Sequence, residues 1–414
     1  MKVQIFLYSL LLLLGGCARS PLKDAAQAMR PASDPPALRD DLPLKGLVHG
    51  LVQTITTLNA DIEGSLQFGP RKISKTEYAQ ALIKLLNFMR QMKSKDDFFT
   101  YINKNFEFYE VYGEREWGDV FITSYYEPVI RGSLKRTSVF SQPLYKTPEE
   151  MLVVDLKAYA EKFPRWKVIL EDVLEQKSRK SIVRGRLIQS KNANGLRQVL
   201  PFYDRLEIDS NSVFKGRGLE LAYVDPIDAF FLQIQGSGIV QLPNKRELRL
   251  GYDSQNGYPY VAIGRFLKEE IPLAEMTLQK IEDHLRRLPR EKQQELFNQN
   301  PSYVFFRKLD SAAQTYLGTD VIPGRTVATD HGFFPKGGLA FLEFPKPVFA
   351  SDNDDNPWLF ENTGRFVLDH DTGGAIRGGG RLDLFWGRGD EAKRNAGVMK
   401  HRGRLFYLLP KMGG

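Results

Sequence analysis

From Val321 to the C-terminus the chain breaks into short runs of β-branched and aromatic residues, divided by Gly, Pro, Asn and Asp. This punctuation constrains the fold more than any other feature. Frequent turns between short strands suit a compact β-barrel and leave no room for long helices. Glycine crowds one stretch in particular, occupying seven of the nineteen residues from Asp371 to Gly389. Turns there are tight, or the backbone passes close to something. The β texture starts beyond Gly118, where Val120–Tyr126 is rich in strand formers and is stopped by Pro128. Before Gly118 the pattern is helical. Leu47, Leu51, Ile55 and Leu58 recur at helical spacing between Leu44 and Asp61. The Ser74-Lys75-Thr76-Glu77 capping signal opens a second helix through Tyr78, Leu82, Leu85, Leu86 and Met89.

The middle of the chain is mixed. Residues 148–180 have a helical texture, and strand-like segments follow around Ile182–Leu187, Gln198–Tyr203 and Leu219–Val224. Ala229–Gln235 alternates and reads as a strand, with Phe230, Leu232 and Ile234 on one face and Phe231, Gln233 and Gln235 on the other. Residues 263–299 are helical again, with Leu278, Ile281, Leu285 and Leu288 on one stripe and Pro289 ending it.

A length of 414 residues allows two or three domains, and 42% apolar with 26% charged residues belongs to a globular protein. That balance excludes disordered, collagen-like and coiled-coil chains. The net charge of +8 is a mild basic excess, not a nucleic-acid-binding density. One cysteine, Cys17, excludes a disulfide scaffold and a Cys-based zinc site. His49, His284, His331, His370 and His401 lack the spacing of a helical metal pair, so no metal and no cofactor is expected.

Met1-Lys2 and the apolar run Val3–Leu14 are too short to span a bilayer and read as a signal peptide. Leu14-Gly15-Gly16-Cys17 resembles the bacterial lipobox, which implies removal of residues 1–16 and acylation of Cys17. Ala18 stands where an inner-membrane retention signal would have Asp, which implies an outer-membrane lipoprotein facing the periplasm. Residues 18–43 hold eleven Pro or Ala and no apolar period, the composition of a flexible tether.

The densest unusual segment is Leu368-Asp369-His370-Asp371-Thr372-Gly373-Gly374-Ala375-Ile376-Arg377-Gly378, leading to Arg381-Leu382-Asp383-Leu384-Phe385-Trp386-Gly387. An Asp that ends a strand before Gly-Gly sits above the sheet, with bare backbone N–H groups beside it. Read alone, Asp371 is either a turn cap or half of an aspartic-protease pair. The pair needs two Asp-Thr/Ser-Gly loops, and the sequence has one.

Other motifs precede it in order. They are Thr123-Ser124-Tyr125-Tyr126-Glu127-Pro128, Pro143-Leu144-Tyr145, Pro201-Phe202-Tyr203-Asp204-Arg205-Leu206-Glu207-Ile208-Asp209, Asp228–Gly238, Gly251–Tyr260, Asn300–Phe306 and Pro323-Gly324-Arg325-Thr326-Val327-Ala328-Thr329-Asp330. From about residue 118 to 410 the chain thus resembles the membrane-bound lytic murein transglycosylase A family. His370 stands where the family more often has Gln or an apolar residue, and Ser124 replaces a common Gly.

The resemblance implies a mainly β protein with N-terminal helices. A double-psi β-barrel domain would take residues 44–130 and 241–414, with a second β-barrel-like domain inserted at 131–240 and a glycan groove between them. It implies cleavage of the β-1,4 bond between N-acetylmuramic acid and N-acetylglucosamine without water, the muramyl C6 hydroxyl closing a 1,6-anhydro ring. Of the three aspartates for which the C-terminal part is named, Asp371 maps to the catalytic one, and Asp330 and Asp383 to supporting positions. A single carboxyl suffices because an internal nucleophile has a high effective molarity. Its pKa must then rise, by burial or beside a carboxylate, for which Asp369 and Asp383 are candidates.

Thr123, Gln233, Gln235, Ser237, Gly373 and Gly374 are candidate sugar contacts, and Tyr125 or Tyr126 a stacking ring. Residues 371–414 carry nine Lys or Arg against four Asp or Glu, a charge that suits the carboxylates of peptide stems. The expected partners are peptidoglycan glycan strands and, through Cys17, outer-membrane lipid. Nucleic acid is not among them, and cell-wall enzyme complexes are left open. A hydrolase on the same fold and a non-catalytic glycan-binding lipoprotein are the competing readings.

Overall fold

The structure, a computed structural model, describes residues 24–170, 182–189, 197–273, 275–311, 313–352, 354–373 and 376–411. The expected signal peptide, Cys17 and Gly374 lie outside these. Among the described residues no helix is long and apolar enough to cross a membrane.

Six strands close on themselves: β1 (Val120–Glu127), β2 (Thr326–Ala328), β3 (Gly338–Val348), β4 (Leu359–Asp371), β5 (Arg381–Arg388) and β6 (His401–Pro410). Around the barrel the order is β6-β3-β4-β2-β5-β1, and β6 pairs back onto β1. Two neighbouring pairs are parallel, β2 with β4 and β1 with β5, and the rest are antiparallel. Parallel neighbours need a crossover, and the one joining β1 to β5 takes in the whole stretch between β1 and β2 as well as β2, β3 and β4.

Three helices, α1 (Lys45–Ala60), α2 (Lys75–Met89) and α3 (Lys95–Asn105), cover the barrel, the first two with the apolar faces read from their spacing and the third through Phe98 and Ile102. Leu47, Leu51 and Leu58 of α1 are buried in one core with Val367 and Leu368 of β4. Gly50 lets helix and strand meet, since a Cβ there would lie 2.1 Å from a Leu368 methyl. Helix α2 starts where the capping signal predicts, the Ser74 side chain accepting from the Glu77 N–H. Its Tyr78 hydroxyl donates to the Leu408 carbonyl of β6 and accepts from the Leu339 N–H of β3.

Between β1 and β2 the chain builds a six-stranded sheet from Val129–Ser133, Gln142–Tyr145, Glu220–Val224, Gly238–Gln241, Glu247–Gln255 and Val304–Leu309. A three-stranded sheet, Met151–Asp155, Ile182–Gln189 and Arg197–Pro201, stands beside it. The boundary expected at 240/241 is therefore misplaced. It would cut the hairpin in which Gly238–Gln241 pairs with Glu247–Gln255.

Two further expectations give way. Pro226–Gln235 is a helix, α4, rather than a strand at Ala229–Gln235. Asp225 caps its N-terminus, Pro226 sits in the first turn and Gly236 ends it at φ +82°. Ile227, Ala229, Phe230, Phe231, Leu232 and Gln233 are all buried, so burial surrounds the helix and the short alternation carries no sidedness. Nor are residues 24–43 a free tether. Met29–Pro31 pairs with the strand Phe106–Val111, and Asp40 is buried against Arg325 at 2.6 Å. Asp41 meets Arg365 of β4 at 2.6 Å and is lowered to about 2 by that pairing despite burial. Composition alone misses such charge-specific docking.

Candidate active site

Strand β4 is buried from Thr363 to His370 and emerges at Asp371. Its register against β2 shifts there, Val327 facing Asp369 but Ala328 facing Asp371. The extra residue is a β-bulge, a device that re-aims side chains where a strand ends. Three consecutive polar side chains consequently go to three different environments.

Asp371 is partly exposed. Its Oδ2 accepts from the Tyr125 hydroxyl at 2.8 Å, and its Oδ1 from the backbone N–H groups of Tyr316 at 3.0 Å and Thr372 at 2.9 Å. Burial raises its pKa above the ordinary carboxylate value, against the pull of these three donors and of Lys336. Tyr125, reaching in from β1, is itself raised well above its usual value by burial and by the Asp371 charge, so it stays a donor. A carboxyl that is desolvated, oriented and still reachable can give a proton and take one back.

His370 points the other way, into the core. Its Nε2 lies 2.7 Å from the Thr54 hydroxyl of α1 and its Nδ1 3.2 Å from that of Thr319. Burial, with Lys336 nearby, lowers its pKa to about 4, so the ring is neutral at neutral pH.

Asp369 is fully buried. It accepts from Lys336 at 2.7 Å, from the Thr329 hydroxyl at 2.6 Å and from the Tyr407 hydroxyl. The expected task for Asp369, a like charge that holds a proton on Asp371, is replaced by this pairing with a cation, and burial supplies the shift.

The remaining candidates divide. Asp383 of β5 sits opposite Thr123 of β1 and accepts from its hydroxyl, with Arg381 at 3.4 Å. Asp330 is a turn anchor whose carboxylate accepts from the N–H groups of Gly332 at 2.9 Å and Gly378 at 2.8 Å. It thereby ties down the loop that follows Asp371. Gly373 lies in that loop, partly exposed.

Tyr126 is withdrawn from the sugar-contact set, because its ring is buried against Ala392 and Ala396. Tyr125 packs against Phe385, with ring centroids 5.1 Å apart. Gln233 is buried as well, accepting from Arg205 at 2.6 Å. Gln235 accepts from the Tyr126 N–H at 3.1 Å and so fastens α4 to β1. Ser237 remains partly exposed beyond the helix end. Sequence reasoning missed Tyr316 and Lys336, which lie in loops without a pattern. The Tyr316 ring stacks on His331 with centroids 5.3 Å apart, and it is 53% exposed beside Asp371. Cavities occur elsewhere, one near Glu270, His284 and Arg287 and another near Arg136, Asp209 and Lys215. Neither includes Asp371, whose side chain is partly exposed at the end of β4.

The described residues thus form a mainly β protein of the closed-barrel class, with a partly exposed carboxyl, raised by burial, at the end of β4 and a separate six-stranded sheet built between β1 and β2. The family model described as the MltA specific insert domain matches residues 121–307, and the 3D domain model matches residues 325–409. The chain belongs to the MltA family.

Membrane-bound lytic murein transglycosylase A of Vibrio cholerae is 34% identical over 198 residues, 47% of this chain. That alignment spans about half of the Vibrio protein, 52% of its length. The Escherichia coli protein of the same name is 26% identical over 318 residues, 74% of this chain and 70% of that one. Among solved structures, a membrane-bound lytic murein transglycosylase from Agrobacterium tumefaciens superposes with a TM-score of 0.68 at 24% identity, covering 90% of this chain and 93% of that one. Escherichia coli MltA with bound chitohexaose superposes with a TM-score of 0.62 at 20% identity, covering 94% and 99%.

Proposed function

We propose that the chain is a lytic transglycosylase that cleaves the β-1,4 bond between N-acetylmuramic acid and N-acetylglucosamine in peptidoglycan, leaving 1,6-anhydromuramyl ends. The observation that carries this reading is Asp371: one partly exposed carboxyl, raised by burial and held by three neutral donors. The names of the relatives, and the chitohexaose bound to the Escherichia coli structure, support it.

Asp371 enters the reaction protonated and passes its proton to the glycosidic oxygen as the bond breaks. The resulting carboxylate then accepts the proton of the C6 hydroxyl as that oxygen attacks C1. Hydrolases must place a water and so use two carboxyls, whereas the internal hydroxyl needs only one. Tyr125 and the two backbone amides stabilise the carboxylate formed between the steps. Asp383 with Thr123 supports the neighbouring strands, and Asp330 the loop after Asp371.

In this reading the closed barrel is a double-psi barrel, and the sheets between β1 and β2 form an inserted domain. The glycan lies between them, with Gln235, Ser237 and Gly373 within its reach. Acylated Cys17 anchors the chain to the outer membrane, facing the periplasm. The test is mass analysis of muropeptides released from purified sacculi. Anhydro ends support the assignment, and reducing ends would make the protein a hydrolase. No release at all would leave a glycan-binding lipoprotein.

A further inference from the structure

The proposed proton transfer makes no use of Lys336, although this cation is almost sequestered beneath Asp371. It lies in the turn entering β3, with its side chain 8% exposed. Its Nζ is 2.7 Å from the Asp369 carboxylate, 2.7 Å from the Thr329 hydroxyl, 3.1 Å from the Thr329 carbonyl and 2.7 Å from the main-chain carbonyl of Asp371 itself. Two strand ends are gathered by one ammonium group, β2 at Thr329 and β4 at Asp371. On its far side Asp369 is closed off by Tyr407 of β6 and by Thr329. An ion pair buried this way is not needed for stability, since apolar residues of similar volume often serve as well. Its placement against the backbone of the reacting residue calls for another reason.

The geometry points to Lys336 and Asp369 as a positioning pair for Asp371, fixing the backbone from which its carboxyl projects and setting the charge that the carboxyl senses from below. The role rests on the acid–base reading of Asp371. Lys336 holds the Asp371 carbonyl, and so fixes where the bulge directs the side chain. A misplacement of about 1 Å at a reacting group is worth on the order of 100-fold in rate. Asp369 pairs with Lys336 and so tempers the positive charge that the carboxyl above still senses. The other titratable or charged groups around Asp371 are Tyr125 of β1, Asp383 and Arg381 of β5, His370 of β4, Tyr407 of β6, Asp330 after β2, and Tyr316 with His331 in the loops. Of these, Tyr407 donates to Asp369 and His370 senses Lys336, so both are followed in the variants, and the others bond neither member of the pair.

Opposite substitutions then have opposite electrostatic signs. Asp369→Asn leaves Lys336 as an unbalanced cation, which favours the Asp371 carboxylate. Lys336→Met removes the cation and disfavours it. Lys336→Met with Asp369→Asn restores neutrality and provides a folded variant if either single change unfolds. The titration of the Asp371 carboxyl is followed by carbon-13 NMR on the whole protein, its signal assigned by loss in Asp371→Asn. Alkaline limbs of anhydromuropeptide release are recorded beside it.

The expected result is a downward shift of about half a unit or more for Asp369→Asn, an upward shift for Lys336→Met, and a return towards wild type in the double variant. Lys336→Met and the double variant should also lose about tenfold or more in kcat with KM little changed, because the hold on the backbone is gone. Shifts of the same sign in both single variants, or none in any folded variant, would overturn the proposal. If the titrations move as stated but wild type releases no anhydro product, the pair's influence on Asp371 stands and the transglycosylase reading fails.

Discussion

Asp371 at the rim of the barrel and Asp209 in the short helical turn Leu206–Ser210 are both carboxyls that burial pushes upward. Their surroundings separate them. Asp209 faces Arg205 at 3.4 Å, both side chains nearly inaccessible, and accepts from Gln142 at 2.6 Å. Arg205 donates onward to Gln233 and to the carbonyls of Asn300 and Ser302, and its guanidinium lies 5.0 Å from the Phe230 ring and 5.2 Å from that of Tyr303. That carboxyl is locked in a finished network. Asp371 takes its hydrogen bonds from a phenol and two amides, all neutral, and keeps an open side. Burial alone therefore does not single out a carboxyl free to exchange a proton with a ligand. Burial joined to access and neutral donors is what sets Asp371 apart.

The strongest test of this contrast is the pair Asp371→Asn and Asp209→Asn, assayed for anhydromuropeptide release. The first should lose about 10³–10⁴-fold or more, because in the proposed reaction one group serves both proton transfers. The second should stay within about tenfold of wild type per folded molecule. If Asp371→Asn keeps more than about a tenth of the activity while folded, the acid is elsewhere, with Asp383 and Asp330 next in line.

Arg205→Met attacks the locked site from its other end. It strands a buried carboxylate and should cost about 3–5 kcal/mol in urea unfolding. A loss below about 1 kcal/mol would mean that the network is looser than its geometry.

His370 sharpens the comparison within β4, one residue from Asp371. Its folded pKa of about 4 lies below the ordinary value of 6.5. The unfolded chain therefore binds a proton that the folded one refuses. Stability from this group is complete above about pH 6.5 and falls as the pH drops towards 4, by up to about 3 kcal/mol. His370→Gln should flatten that part of the stability–pH curve, and an unchanged slope would contradict a neutral buried ring.

The smallest expected effect is on the stability of Asp371→Asn itself. A folded pKa raised above the unfolded one stabilises at low pH, and that contribution is lost as the pH rises through the folded value. The permanently neutral Asn should thus melt slightly higher than wild type at neutral pH, with the difference vanishing in acid. A lower melting temperature at neutral pH would mean that the three donors to the carboxylate outweigh its burial.

The elements most legible in the sequence were those whose signals are local. Ser74 and Glu77 cap α2 across three residues, and the stripe of α1 faces the core as its spacing requires. Asp371 stands at a strand end before glycine, as the Asp-Thr-Gly segment suggested. The alternation at Ala229–Gln235 misled because a helix buried on all sides has no polar face to set its period. The Pro- and Ala-rich stretch at 18–43 misled from residue 24 onwards because its docking depends on Asp40 and Asp41 finding Arg325 and Arg365, 285 and 324 positions away.

By itself the sequence determined the β texture after Gly118, the helical cover before it, and a lone strand-end aspartate among glycines. These follow from preferences that act over a few residues: caps, periods and turn conformations. Only the tertiary structure decided which carboxyl is desolvated, partly exposed and held by neutral donors. Tyr125 reaches Asp371 across 246 residues of sequence, and Lys336 reaches it from a loop without a motif. Burial of a charged group and the partners that offset it are properties of space, and closing the barrel is what brings those partners together.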